Sequence, residues 1–164
     1  MRYFKVRSED IANGPGIRVS IYVQGCNHHC PNCFNPETWD FNKGKPFTQK
    51  IKAKFLNLAE PKKIVGFSIL GGEPLQQGSD MLDLVKSMKE KYPNKTIWMW
   101  TGYTYEELND EQKEIIKYID VLIDGRFIEA EKCPNENFKG SSNQRIIDIK
   151  KTLETNKIQL AVLP

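Results

Sequence analysis

The sequence predicts an α/β fold on a parallel sheet of about five or six strands. Segments with the two-residue period of a strand alternate with segments of helical period along most of the chain, the pattern of βαβ units with right-handed crossovers. One strand segment, "KIVGFSIL", is continuously apolar, as expected where both sheet faces are covered. No repeat or linker interrupts the pattern. The 164 residues are therefore read as a single domain, 1–164, large enough to bury a core without staples.

The first predicted strand is "IRVSIYVQ", in which Ile17, Val19, Ile21 and Val23 alternate with Arg18, Ser20, Tyr22 and Gln24. A helix is predicted from about Thr48, with Ile51, Phe55 and Leu58 on one face, stopped by Pro61. "KIVGFSIL" is the second strand. In "SDMLDLVKSMKEKY", Ser79 or Asp80 offers a cap and Met81, Leu84, Val85 and Met88 form an apolar stripe, before Pro93 and Asn94 break the helix. "TIWMW" is the third strand, placing Trp98 and Trp100 in the core. Thr104 and Glu107 have the spacing of a capping box, opening a helix that uses Leu108, Ile115 and Ile116. "DVLID" reads as a fourth strand, "QRIIDI" as a fifth and "IQLAVL" as a sixth, with loop from about Glu129 to Lys139.

Charge excludes more than it identifies. Lys and Arg number 24 against 21 Asp and Glu, a formal net charge of +3. The positives alternate with acids along helices, so no nucleic-acid footprint is present. The longest apolar runs are too short to cross a bilayer. The opening "MRYFKVRSEDIANG" lacks the apolar centre of a signal peptide. A cytoplasmic protein without nucleic-acid or membrane partners is expected. In that compartment thiols stay reduced, and clustered cysteines bind metal more often than they form disulfides.

In parallel α/β sheets, ligands gather at the carboxyl ends of the strands. Here the first strand runs into "QGCNHHCPNCFN", the second into "GGEP", the third into "TGYT" and the fourth into "DGRF". Every unusual cluster falls at the same predicted end, pointing to one site assembled from several loops.

Three of the four cysteines, Cys26, Cys30 and Cys33, sit in the first of these loops at C-x3-C-x2-C spacing. Core thiols would show apolar periodicity, and His28, His29, Pro31 and Asn32 break it. A structural zinc site needs four ligands, with His28, His29 or Cys133 available as the fourth. A four-iron cluster ordinarily takes four thiolates, so three would leave one iron without a protein ligand. That arrangement is useful where another molecule binds the open iron.

C-x3-C-x2-C resembles the signature of the radical S-adenosylmethionine (radical SAM) superfamily, and "LGGEP", Leu70 to Pro74, resembles that superfamily's second motif. "NGPGIR", Asn13 to Arg18, is similar to the segment before the cluster loop in activating enzymes of glycyl-radical enzymes. "WTGYT", "VLIDGRF" and "GSSNQRIID" resemble segments of the branch that activates anaerobic ribonucleoside-triphosphate reductase. The likeness runs from about Asp10 to Asp148. One position departs: the superfamily usually has an aromatic residue just before the third cysteine, where this chain has Asn32, with Phe34 after it.

The resemblance implies a shortened, incomplete (β/α) barrel of the radical SAM type. It implies a [4Fe-4S] cluster on Cys26, Cys30 and Cys33, with S-adenosylmethionine chelating the open iron. Gly71, Gly72 and the Glu73 carboxylate are expected to hold the cofactor's methionine part, and Asn32, Cys33 and Phe34 to lie beside it. The implied reaction is reductive cleavage of S-adenosylmethionine and removal of hydrogen from a glycine of the reductase's large subunit, with a low-potential donor such as flavodoxin supplying the electron. No side chain is needed as a general acid or base. The alternatives are an activator of another glycyl-radical enzyme such as pyruvate formate-lyase, an enzyme making a modified purine, and a zinc-stabilised module without catalysis. Asp124 and Arg126 are candidates for an ion pair, and Arg145 for pairing with an acid. Thr101, Tyr103, Asn143 and Gln144 are candidates for cofactor sugar contacts or loop shaping. His28 and His29 are read as exposed, and Cys133 as a thiol outside the ligand set.

Overall fold

The structure, a computed structural model, describes residues 1–163. Arg2–Asp10 forms β1 and Ile17–Gln24 forms β2, an antiparallel pair. Lys45–Pro46 is a two-residue β3 on the outer side of β1. Then follow α1 (Gln49–Asn57), β4 (Ile64–Gly71), α2 (Ser79–Lys91), β5 (Thr96–Trp100), α3 (Asp110–Ile116), β6 (Val121–Asp124), β7 (Arg145–Asp148) and α4 (Ile149–Thr155). The strand order is β3-β1-β2-β4-β5-β6-β7.

The four parallel strands are β2, β4, β5 and β6, all foreseen from alternation or apolar runs in the sequence. The sheet as a whole is not the expected parallel one. It has seven strands, β1, β3 and β7 run antiparallel, and its two edges do not meet. Closure into a barrel would need further βα units after β6; the chain instead turns β7 back alongside it.

β1 escaped the period-two reading because its register slips. Tyr3 pairs with Val23 and Lys5 with Tyr22, leaving Phe4 as an extra residue. The expected sixth strand, "IQLAVL", is reduced to a single bridge between Leu160 and Ile147. The unforeseen helix α4 lies before it, capped by the Asp148 side chain, which accepts from the Lys151 N–H. The Thr104–Glu107 capping box forms, yet it closes only a 3₁₀ turn. Leu108 is extended, and α3 starts later under a second box, Asn109 with Gln112. At α2 the cap is Gly78 rather than Ser79 or Asp80.

One face of the sheet carries the apolar core. Val19, Ile21 and Val23 of β2, Phe67 and Ile69 of β4, Ile97 and Met99 of β5 and Leu122 of β6 pack against Phe55, Met81, Leu84, Val85, Met88, Ile115 and Ile116 from α1, α2 and α3. The alternation sends Arg18, Ser20, Tyr22 and Gln24 to the other face. There Arg18, fully buried, donates to Ser68 Oγ and to the Pro15, Phe67 and Thr96 carbonyls. Ser68 in turn donates to the Asn13 carbonyl, fastening the "NGPG" loop over this face. Trp98 is buried here against Phe138. No helix among the described residues is long and apolar enough to cross a membrane.

The β1–β2 connection depends on Asp10. Its carboxylate accepts from the Ala12 N–H, from Asn13 Nδ2 and from Ser20 Oγ at 2.6–2.8 Å. Burial pushes this carboxyl up, but the Asn13, Ser20 and Ala12 donors, with Arg7 nearby, outweigh it and hold the pKa below its ordinary value. A depressed folded-state pKa gives stability that is present above the unfolded value of about 4 and lost as pH falls through the folded value. Asp10→Asn is therefore expected to cost about 1–3 kcal/mol at neutral pH. The gap between wild type and variant should close as urea unfolding is followed from pH 6 towards pH 3.

Candidate functional site

The ends of β2, β4, β5 and β6 open onto one cavity of about 540 Å³, within the ~300–1,000 Å³ common for small-molecule and cofactor sites. Its wall includes Cys26, Cys30 and Cys33, then Gly71, Gly72 and Glu73, then Trp100, Thr101 and Gly102, then Gly125 and Phe127. Every strand-end cluster singled out in the sequence contributes to it. The 132–140 segment supplies Lys132, Pro134 and Phe138, and Trp100 Nε1 donates to the Phe138 carbonyl at 2.8 Å. Trp98 is core as expected, whereas Trp100 reaches the wall.

The cysteine loop is closed at its base. The Gly25 and Cys26 N–H groups donate to the Thr38 and Trp39 carbonyls at 2.6 and 3.0 Å. His29 and Asn32 take left-handed backbone angles, φ 51° and 56°, which fold the loop tightly, and His29 stacks on Trp39 at 4.6 Å. The "GGEP" loop is stitched to its root: the Gly72 and Glu73 N–H groups donate to the Val23 and Gly25 carbonyls. Gln77 Nε2 donates to the Gln24 and Gly25 carbonyls. The Asn27 N–H donates to Gln76 Oε1, and Gln76 Nε2 donates to the Tyr103 hydroxyl. A Cβ on Gly72 would lie 2.5 Å from the Gly25 carbonyl oxygen. The glycine expected to admit a ligand thus also admits the cysteine loop's own backbone.

Glu73 is the centre of this stitching. Its side chain is 1 % exposed. Oε1 accepts from the Gly102 N–H at 2.7 Å and from His28 Nε2 at 2.8 Å; Oε2 accepts from the Leu75 N–H at 2.9 Å; the Thr101 hydroxyl lies 2.9 Å from both. His28 was read as exposed and is not; its side chain is only 7 % exposed and on the cavity wall. Sequence alone gave no sign of this role, since the carboxylate that holds it is 45 residues away.

Other sequence candidates separate cleanly. Asn32 lies outside the cavity wall, its Nδ2 bonded to Glu129, because the left-handed turn directs it outward. Phe34 stands at the mouth, 58 % exposed, against Phe127 at 4.7 Å and under Lys132. Asp124 and Arg126 do not pair with each other. Asp124 binds Arg145, its neighbour across the β6–β7 register, while Arg126 binds Glu107. Gln144 Oε1 accepts from the Gly140 and Ser141 N–H groups, and Asn143 Nδ2 donates to the Arg126 carbonyl, so both shape loops. Cys133 is not on the wall, although Pro134 is.

The donor set fits an iron–sulfur cluster. Burial pushes the Cys26 thiol up to about 11, against the pull of the His28 and His29 N–H groups. Burial likewise raises Cys30, opposed by the Phe127 N–H. The Asn35 N–H reaches Cys33 Sγ at 3.4 Å. Backbone donors aimed at sulfur are the groups that stabilise cluster-ligating thiolates. The buried indole N–H of Trp39, also on the wall, has no protein acceptor. Among the described residues, no three His, Cys, Asp or Glu side chains form a set that could hold a single metal ion. A zinc centre would gather four ligands on one ion, whereas in a cluster each thiolate takes a different iron.

Fold and site define a class, and comparison with known proteins agrees with it: residues 12–147 match a family model described as a 4Fe-4S single cluster domain. The chain is 42% identical over 148 residues to the anaerobic ribonucleoside-triphosphate reductase-activating protein of Escherichia coli (strain K12), covering 88% of this chain and 96% of that protein. The proteins of that name from Vibrio cholerae serotype O1 and Enterobacteria phage T4 are 40% and 37% identical over 150 and 148 residues. These alignments cover 89% of this chain in both cases, and 97% and 93% of the relatives. The chain belongs to the family of anaerobic ribonucleoside-triphosphate reductase-activating proteins.

The close approach of the two loop backbones is testable. Gly72→Ala forces backbone apart from backbone and is expected to cost about 1–3 kcal/mol, read as a lower urea midpoint for the cluster-free protein.

Proposed function

We propose that this chain activates an anaerobic ribonucleoside-triphosphate reductase by radical SAM chemistry. The observation that carries the proposal is the meeting of Cys26, Cys30 and Cys33 with the Gly71–Glu73 loop on one cavity at the carboxyl ends of the parallel strands. Cys26, Cys30 and Cys33 would each hold one iron of a [4Fe-4S] cluster. S-adenosylmethionine would lie along the main chain of Gly71 and Gly72 at the cavity wall, the room left by their missing side chains being taken up by the backbone of Tyr22, Val23 and Gly25. When bound, the two would supply one-electron reductive cleavage of the cofactor's carbon–sulfur bond, using an electron from a low-potential donor such as flavodoxin, and with it the means to remove a hydrogen atom from a glycine α-carbon of the reductase.

The chain's own residues would bind and orient. The His28, His29 and Phe127 N–H groups offset charge on the sulfurs and so tune the cluster potential. Trp100, Phe127 and Phe138 give the wall an apolar side that limits water around a reactive intermediate. A glycine within another protein must reach contact distance of the cleaved carbon. A sheet whose edges do not meet would leave room for that approach, and Phe34 is an exposed member of the cavity wall that could meet it.

Electron spin resonance tests the proposal. Reconstituted protein, reduced anaerobically with S-adenosylmethionine and the reductase large subunit, should produce a glycyl doublet on the reductase. Cys30→Ala should abolish the doublet and lose most of the iron; Cys133→Ala should keep both. A doublet formed only on a formate-lyase-type partner would contradict the assignment.

A further inference from the structure

His28 is not among the proposed cluster ligands, yet it is the buried member of a loop whose adjacent residues, Asn27 and His29, are exposed. Its ring occupies a slot shaped for it. Tyr103 meets it edge-on at 4.7 Å, and a Cβ on Gly102 would stand 2.6 Å from its Cδ2. At the end of the slot is Glu73 Oε1, 2.8 Å from Nε2.

The carboxylate is a fixed post. The Leu75 and Gly102 N–H groups and the Thr101 hydroxyl hold it from the loops after β4 and β5, and they can only move with those loops. His28 is the member of this set that belongs to the cysteine loop. The same residue stands two positions after Cys26 and two before Cys30, so its main chain is the middle of the turn between the two thiols. Fixing the His28 side chain therefore fixes that turn.

The structure assigns His28 the role of a positioning residue: bonded through Nε2 to Glu73, it locks the cysteine loop to the ends of β4 and β5 and sets how Cys26 and Cys30 present their sulfurs. Glu73 is the anchor of that lock. The inference rests on the reading of the three cysteines as cluster ligands. The loop keeps other ties, at Gly25, Cys26 and Asn27, so removing His28 should not unfold it.

Three variants separate positioning from general packing. His28→Gln places an amide nitrogen where Nε2 stands; His28→Asn places it where Nδ1 stands; His28→Ala offers none. Two rates are read: alkylation of Cys26 by iodoacetamide in cluster-free protein, by mass spectrometry, and release of iron to a chelator from reconstituted protein. His28→Ala and His28→Asn should raise both about tenfold, the scale of one lost hydrogen bond to a charged group, while His28→Gln stays near wild type. Wild-type rates in His28→Ala, or equal rates in the Gln and Asn variants, would overturn the assignment. Wild type that assembles no four-iron cluster would count against the cysteine reading instead, and the alkylation series would still decide the role of His28.

Discussion

One buried carboxylate holds this site together. Glu73 follows β4 directly and accepts hydrogen bonds from its own loop, from the loop after β5 and from the cysteine loop after β2. A carboxylate removed from water is costly unless donors replace the lost hydration. Four protein donors meet that demand, and in meeting it they bring three loops to one point. The requirement is therefore mutual: the loops satisfy the buried acceptor, and the acceptor fixes their spacing.

That arrangement is possible because four strands point the same way. Parallel pairing of β2, β4, β5 and β6 delivers each following loop to a single edge. The helical face of the sheet is apolar and closely packed, so the strands do not shift relative to one another. On the other face, Arg18 and Ser68 tie down the "NGPG" loop, and Trp98 and Trp100 seat the 132–140 segment. Rigid packing on one side and polar fastening on the other leave a cavity between loops that are held from below.

The parallel centre was legible in the sequence because β2, β4, β5 and β6 show either clean alternation or an unbroken apolar run. The edges were not. Phe4 at the bulge hides the period of β1, and the direction of β7 depends on a pairing no local pattern reveals, Asp124 with Arg145. α4 has seven residues, too short for a helical stripe to stand out from the strand before it. In the site, the cysteines and "GGEP" were legible because residue type and spacing carry the chemistry. His28, Gln76 and Gln77 were not, because their work lies in bonds to distant segments. The Asn32 bond to Glu129 was not legible either, because its backbone angle, not its place beside Cys33, decides where it points.

The central claim is that three sulfurs from one loop hold a cluster with a single iron left open to a small ligand. Mössbauer spectroscopy of protein reconstituted with iron-57 tests it directly. Adding S-adenosylmethionine should shift the signal of one iron in four and leave the other three in place. A spectrum unchanged by the cofactor, with all four irons already equivalent, would contradict the account.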